Sequence, residues 1–140
     1  MQEIFKNTLF AGIAIFIFSY GGLLLAISLF PSFFVDYISP VFNSDGSRDV
    51  FFYLHPFILS LALAVFWNRF QSMFRGHFVL RGFEFGFIYA AIALIPVMWI
   101  TYSAVDVSLS MVFTWLLYGI FQSCVAGIIF AWRSHLKLSH

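Results

Sequence analysis

Four apolar stretches, at about 8–30, 50–68, 82–102 and 109–132, dominate this chain. Each is close to the ~20 residues that carry a helix across ~30 Å of hydrocarbon at 1.5 Å per residue. A water-soluble fold has no room for them: 62% of the 140 residues are hydrophobic, 9% are charged and 21 are Phe. That is more apolar surface than one small soluble core can hide. The runs are continuous and too few to close a barrel of short alternating strands, so helices are predicted. The sequence therefore predicts an all-α membrane protein. It is a single transmembrane domain over 1–140, folded as an antiparallel four-helix bundle with an outer loop at 31–49 and a cytoplasmic loop at 69–81.

Orientation follows from the basic residues. Lys6, Arg69, Arg75, Arg81, Arg133 and Lys137, six of the seven Lys and Arg, fall on one side of such a bundle. Arg48 falls on the other, with Asp36, Asp45, Asp49 and Asp106. Loops left in the cytoplasm carry the excess of Lys and Arg, so both termini and the central loop are predicted to be cytoplasmic. The aromatic residues fit the same depth scale: Trp67 and Trp132 at the inner ends, Tyr37, Tyr53, Trp99 and Tyr102 near the outer ends, where amphipathic rings sit among headgroups. Lys6 ahead of an apolar run, with Ala26-Ile27-Ser28 as a loose cleavage-like tripeptide, raises the question of a signal peptide. The run from Thr8 to Phe30 is longer than a signal-peptide core, which favours a retained first span.

Several connecting segments read in more than one way. Pro56 interrupts the second span: either the helix starts at Asp49 and bends at Pro56, or it begins near His55. The first is favoured because an aspartate there accepts backbone N–H groups and complements the helix dipole. Between spans two and three, Phe70, Met73, Phe74 and Phe78 recur at helical spacing beside Arg75 and Arg81. They predict a short basic segment lying in the interface, or simply an extended helix end. The outer loop joins an aromatic half, PSFFVDYISPVF, predicted to lie against the membrane, to a polar half, NSDGSRD, that faces water.

Lipid tails are as apolar as Leu, so membrane helices associate through close packing and interhelical hydrogen bonds, which favours small residues four apart. Gly119, Ser123, Gly127 and Ala131 form such a stripe on span four, and Gly82, Gly86 and Ala90 form another on span three. Span two offers Ser60, Ala64 and Asn68, and span one offers Gly22 and Ala26. These faces serve either the bundle itself or a homodimer.

Ionisable residues inside a span are costly, so His55 is a candidate relay, ligand or binding residue; its structural reading is to hold the Pro56 bend. With Asp49, Tyr102 and Asp106 it makes a possible outer polar cluster for protons or a cation. Tyr20, Ser60, Tyr118 and Gln122 make a possible mid-membrane polar lining, or else ordinary interhelical bonds, with Pro96 able to open a kink beside them. Glu84 is expected to pair with Arg81 or Arg133 as an anchor. The alternating oxygens from Asn43 to Asp49 do not make an EF-hand, because Gly46 is misplaced and Leu54 stands where the terminal Glu belongs. Cys124 lies in an apolar run and is expected to pack; alone, it makes no intrachain disulfide and no thiolate zinc cluster. No metal ligand set, cofactor loop or nucleophile elbow is predicted, so a catalytic role would be unconventional. A net charge of +1 opposes nucleic acid as a partner.

The segments LHPF at 54–57, RGFEFG at 81–86, TYS at 101–103 and WLLYGIFQ at 115–122 resemble those of small bacterial four-span proteins of unassigned function. The likeness is one of hydropathy layout over most of the chain. It implies a four-helix fold in a bacterial inner membrane and transfers no activity. Three functions remain open: a noncatalytic component that self-associates or joins a larger membrane complex, which abundant packing motifs favour; a small transporter or channel; and a membrane enzyme using His55.

Overall fold

The computed structural model describes residues 2–32, 34 and 46–138. Within them the chain forms α1 (Gln2–Leu29), α2 (Asp49–Phe70), α3 (Phe78–Tyr89), a π-helical turn (Ala90–Leu94), α4 (Ile95–Ala104) and α5 (Leu109–Leu138). α3, the π turn and α4 continue as one rod, so the described residues make four rods, each long and apolar enough to cross a membrane. The protein is an all-α four-helix bundle of the multi-pass membrane class. Asp36, Tyr37, Asp45 and most of the aromatic half of the outer loop lie outside the described residues.

Local chemistry sets the ends of the rods. α2 starts at Asp49 and runs unbroken through Pro56, with Arg48 in the cap position and the Asp49 carboxylate in the first turn, where it complements the dipole. His77 caps α3 by accepting the Val79 N–H through Nδ1 at 3.4 Å, and Ser108 caps α5 by accepting the Met111 N–H at 3.2 Å. The interfacial segment does not continue as a helix. α2 ends at Phe70, and Gly76 takes φ +97°, a conformation that breaks a right-handed helix and suits glycine.

Pro96 explains the π turn. Its ring crowds the carbonyl four residues back and it has no N–H to donate. The wider turn just before it, in which the Ile95 N–H reaches back to the Ala90 carbonyl, absorbs the mismatch without a break in the rod.

α1 packs antiparallel on α2: the Ser60 hydroxyl donates to the Thr8 carbonyl at 2.8 Å toward one end, and Tyr20 stacks on Tyr53 at 5.3 Å toward the other. α1 is also antiparallel to α5, touching it through Asn7 and Arg133 and, further along, through Ser19 and Gln122. α3 lies antiparallel on α5, with Gly82 against Ile128 and Leu94 against Gly119. Phe66 and Trp67 of α2 each reach Phe85 of α3 at 5.4 Å between ring centres, which closes the ring of helices.

The aromatic core lies toward one end of the bundle. At the end that bears Lys6, Arg69, Arg75, Arg81 and Arg133, the basic end, Trp67, Phe74, Phe85 and Phe130 are buried together with Ala11, Ile15 and Ala131. Trp67 and Phe74 stack at 5.5 Å with an angle of 2° between ring planes. Trp67 is thus a core residue and not one of the headgroup-layer rings expected from its position; its exposure is 1%. Phe74 does likewise from the turn after α2, plugging the bundle instead of lying in the interface. Toward the opposite end, Leu24, Leu25, Trp99 and Ile100 are exposed.

Candidate functional site

The four residues of the expected outer polar cluster stand on or beside two different rods. Asp49 and His55 stand on α2 and are exposed, whereas Tyr102 stands on α4 and Asp106 in the turn that follows, also exposed. Among the described residues no hydrogen bond or ion pair joins any two of these four, and no group of three or more His, Cys, Asp or Glu side chains is placed to hold a metal.

The mid-membrane polar residues occupy separate layers. Ser60 bonds the Thr8 carbonyl, while Gln122 Nε2 donates to Ser19 Oγ at 3.1 Å with both side chains buried. Thr8 and Ser19 are eleven residues apart on one helix, so these layers lie roughly 16 Å apart at 1.5 Å per residue. Tyr20 packs among Phe16, Phe52 and Tyr53. Tyr118 lines an apolar groove instead. Ser60, Gln122 and Tyr20 thus make separate helix-to-helix contacts, and Tyr118 faces the groove.

The small residues on α3 and α5 are consumed inside the chain. A Cβ on Gly86 would stand 2.5 Å from Cys124 Sγ, and one on Gly127 would stand 2.5 Å from the Gly82 carbonyl oxygen. A Cβ on Gly119 would meet Leu94, and one on Gly82 would meet the backbone of Ile128. The Ser123 hydroxyl lies 2.9 Å from the Ile120 carbonyl of its own helix and 3.4 Å from the Gly86 carbonyl across the contact. Ala90 and Ala131 are buried beside them. α1 uses Gly12 in the same way against Phe57 of α2. Gly21 and Gly22 differ: a Cβ on either would meet nothing within 4 Å, and of the two Gly22 lines a groove.

Among the described residues two concavities stand out. The larger, about 730 Å³, is an apolar groove toward the end opposite the basic one, with Gly22, Ala26, Phe52, Trp115, Tyr118 and Phe121 on its walls. The smaller, about 370 Å³, is polar and lies at the basic end, lined by Glu3, Asn7, Asn68, Gln71, Ser72, Arg81, Arg133 and Ser134.

The polar pocket is held by a connected set of bonds. Trp67 Nε1 donates to Ser134 Oγ at 3.4 Å, the single Ser134 hydroxyl proton has the Phe130 carbonyl at 2.9 Å and Gln71 Oε1 at 3.2 Å as acceptors, and Arg81 Nη2 donates to the Gln71 carbonyl at 3.3 Å. Arg133 Nε donates to Asn7 Oδ1 at 2.8 Å. Glu84 is exposed and pairs with neither arginine among the described residues. Gly82, Phe85 and Gly86 are the buried residues of α3, and Glu84 lies off that face while Arg81 folds back over Trp67.

Sequence reasoning missed this pocket. Asn7, Gln71 and Ser134 are polar residues at the ends of apolar runs, and that position was the available signal; their meeting requires the packing of three helices.

No protein-family model, curated protein or solved structure matches this chain.

Proposed function

We propose that the chain is a noncatalytic component of a bacterial inner membrane, with both termini in the cytoplasm. It joins a larger membrane complex, or a second copy of itself, by receiving a transmembrane helix in the groove between α1 and α5. One observation carries this reading: Gly22 and Ala26, four apart on α1, stand in that groove with open space over Gly22, whereas Gly12, Gly82, Gly86, Gly119 and Gly127 are all covered by neighbours in the chain. Small residues at this spacing let helix backbones approach closely in lipid. Aromatic walls add broad contact area on either side.

The mid-depth polar groups support the same reading over transport. Gln122 and Ser19 satisfy each other in a buried contact, and Tyr20 is packed among three rings. The sidedness rests on the concentration of Lys and Arg at one end of the bundle, and the bacterial membrane rests on the resemblance to small four-span proteins.

Photo-crosslinking in native membranes tests the assignment. A crosslinking amino acid in place of Ala26 should yield a protein adduct, whereas one in place of Ile92, exposed on the π turn, should not. An adduct of twice the chain's mass identifies self-association, and any other protein mass identifies a complex. Adducts to lipid alone at position 26, or equal protein adducts at both positions, would overturn the proposal.

A further inference from the structure

The basic-end pocket contains two guanidiniums that lie over aromatic rings. Arg81 lies over Trp67 at 5.3 Å from the ring centre, and Arg133 lies over Phe10 at 4.5 Å. A guanidinium carries its N–H groups in its own plane, directed outward from the edge. Arg133 uses Nε on Asn7, and Arg81 uses Nη2 on the Gln71 carbonyl, both neutral acceptors. Arg81 Nε is buried without a hydrogen-bond partner. Each guanidinium carries five N–H donors, so Nη donors beyond the bonds to Gln71 and Asn7 are left to meet an acceptor in the cavity.

We propose that this pocket binds the phosphate of an anionic phospholipid headgroup in the leaflet at the basic end. Arginines present paired donors that match phosphate oxygens, and two of them converge here from α3 and α5. Charge agrees: two guanidiniums and the Glu3 carboxylate leave one positive charge in the lining, which a phosphodiester with one negative charge neutralises. A volume of about 370 Å³ admits a headgroup. Depth agrees as well, because the pocket lies where the apolar runs end, the level at which basic pockets between membrane helices meet lipid headgroups. A lipid is favoured over a soluble phosphate by Phe10, which lies under the Arg133 guanidinium and is 52% exposed, so that it offers an acyl chain an apolar surface at the pocket edge.

The test uses the full chain in a nonionic detergent. Binding of phosphatidylglycerol, phosphatidylethanolamine and phosphatidylcholine is compared by native mass spectrometry and by the shift in thermal unfolding, with glycerol 3-phosphate and inorganic phosphate as soluble probes. Phosphatidylglycerol is expected to be retained in preference to both zwitterionic lipids and to outcompete the soluble phosphates.

Arg133→Gln and Arg81→Lys should each weaken its binding at least about tenfold, the scale of one lost charged hydrogen bond. Arg75→Gln, which removes an exposed charge outside the pocket, should leave binding within about twofold. Equal retention of the three lipids by the unaltered protein, equal loss in Arg75→Gln, or glycerol 3-phosphate binding as well as the lipid would each overturn the proposal. The lipid comparison stands on the unaltered protein even where a variant folds poorly.

Discussion

Arg133 on α5 and Asn7 on α1 join the last helix to the first, with 2.8 Å between Nε and Oδ1. Asn7 is 9% exposed, so this is a bond at the margin of the core and not a surface contact. Asn7→Ala should lower stability in detergent by about 1–2 kcal/mol, the low end for a hydrogen bond to a charged group because Arg133 keeps access to water. Asn7→Asp retains an acceptor and adds a charge opposite the guanidinium, so it should match or exceed the unaltered protein. Thermal unfolding of the three proteins measures the order.

The glycines should divide by what covers them. Gly82→Ala places a methyl group against the backbone of Ile128, and backbone cannot move aside as a side-chain tip can. A loss of about 1–3 kcal/mol is expected, the range for overpacking. Gly22→Ala meets open space and should leave the isolated chain as stable or slightly more so, since alanine favours the helix by up to about 1 kcal/mol. If both substitutions destabilise the isolated chain equally, the intrachain assignment of the small stripes is wrong.

Much of this architecture was legible in the sequence because the bilayer enforces it. A run of twenty apolar residues has few options in lipid, and small residues four apart mark faces that admit a close neighbour. The partner of each face was not legible. The stripes on α3 and α5 fitted a bundle or a dimer equally until Gly86 was seen against Cys124 and Gly127 against Gly82. Trp67 read as a headgroup ring because of its position near a run end; only the rings of Phe74, Phe85 and Phe130 around it make it core. Glu84 and Arg81 are three residues apart, the spacing of a helical ion pair, yet tertiary packing draws Arg81 over Trp67 instead.

Gln122 and Ser19 offer a test of the mid-depth polar residues as helix contacts. Gln122→Leu removes the 3.1 Å bond to Ser19 while nearly preserving volume. Interhelical hydrogen bonds in membranes average about 0.6 kcal/mol and reach about 1.7, so a small loss within that range is expected in unfolding experiments. A loss well above that range would mean that Gln122 has a larger task than one bond to α1.

The proposed cytoplasmic placement of the basic end is open to a direct test. In a Cys124→Ser background, Arg75→Cys and Asp106→Cys place single thiols at exposed turns at opposite ends of the bundle. A membrane-impermeant maleimide applied to intact cells should label position 106 at once, and position 75 only after the membrane is opened. Labelling of position 75 in sealed cells, with position 106 protected, would contradict the account.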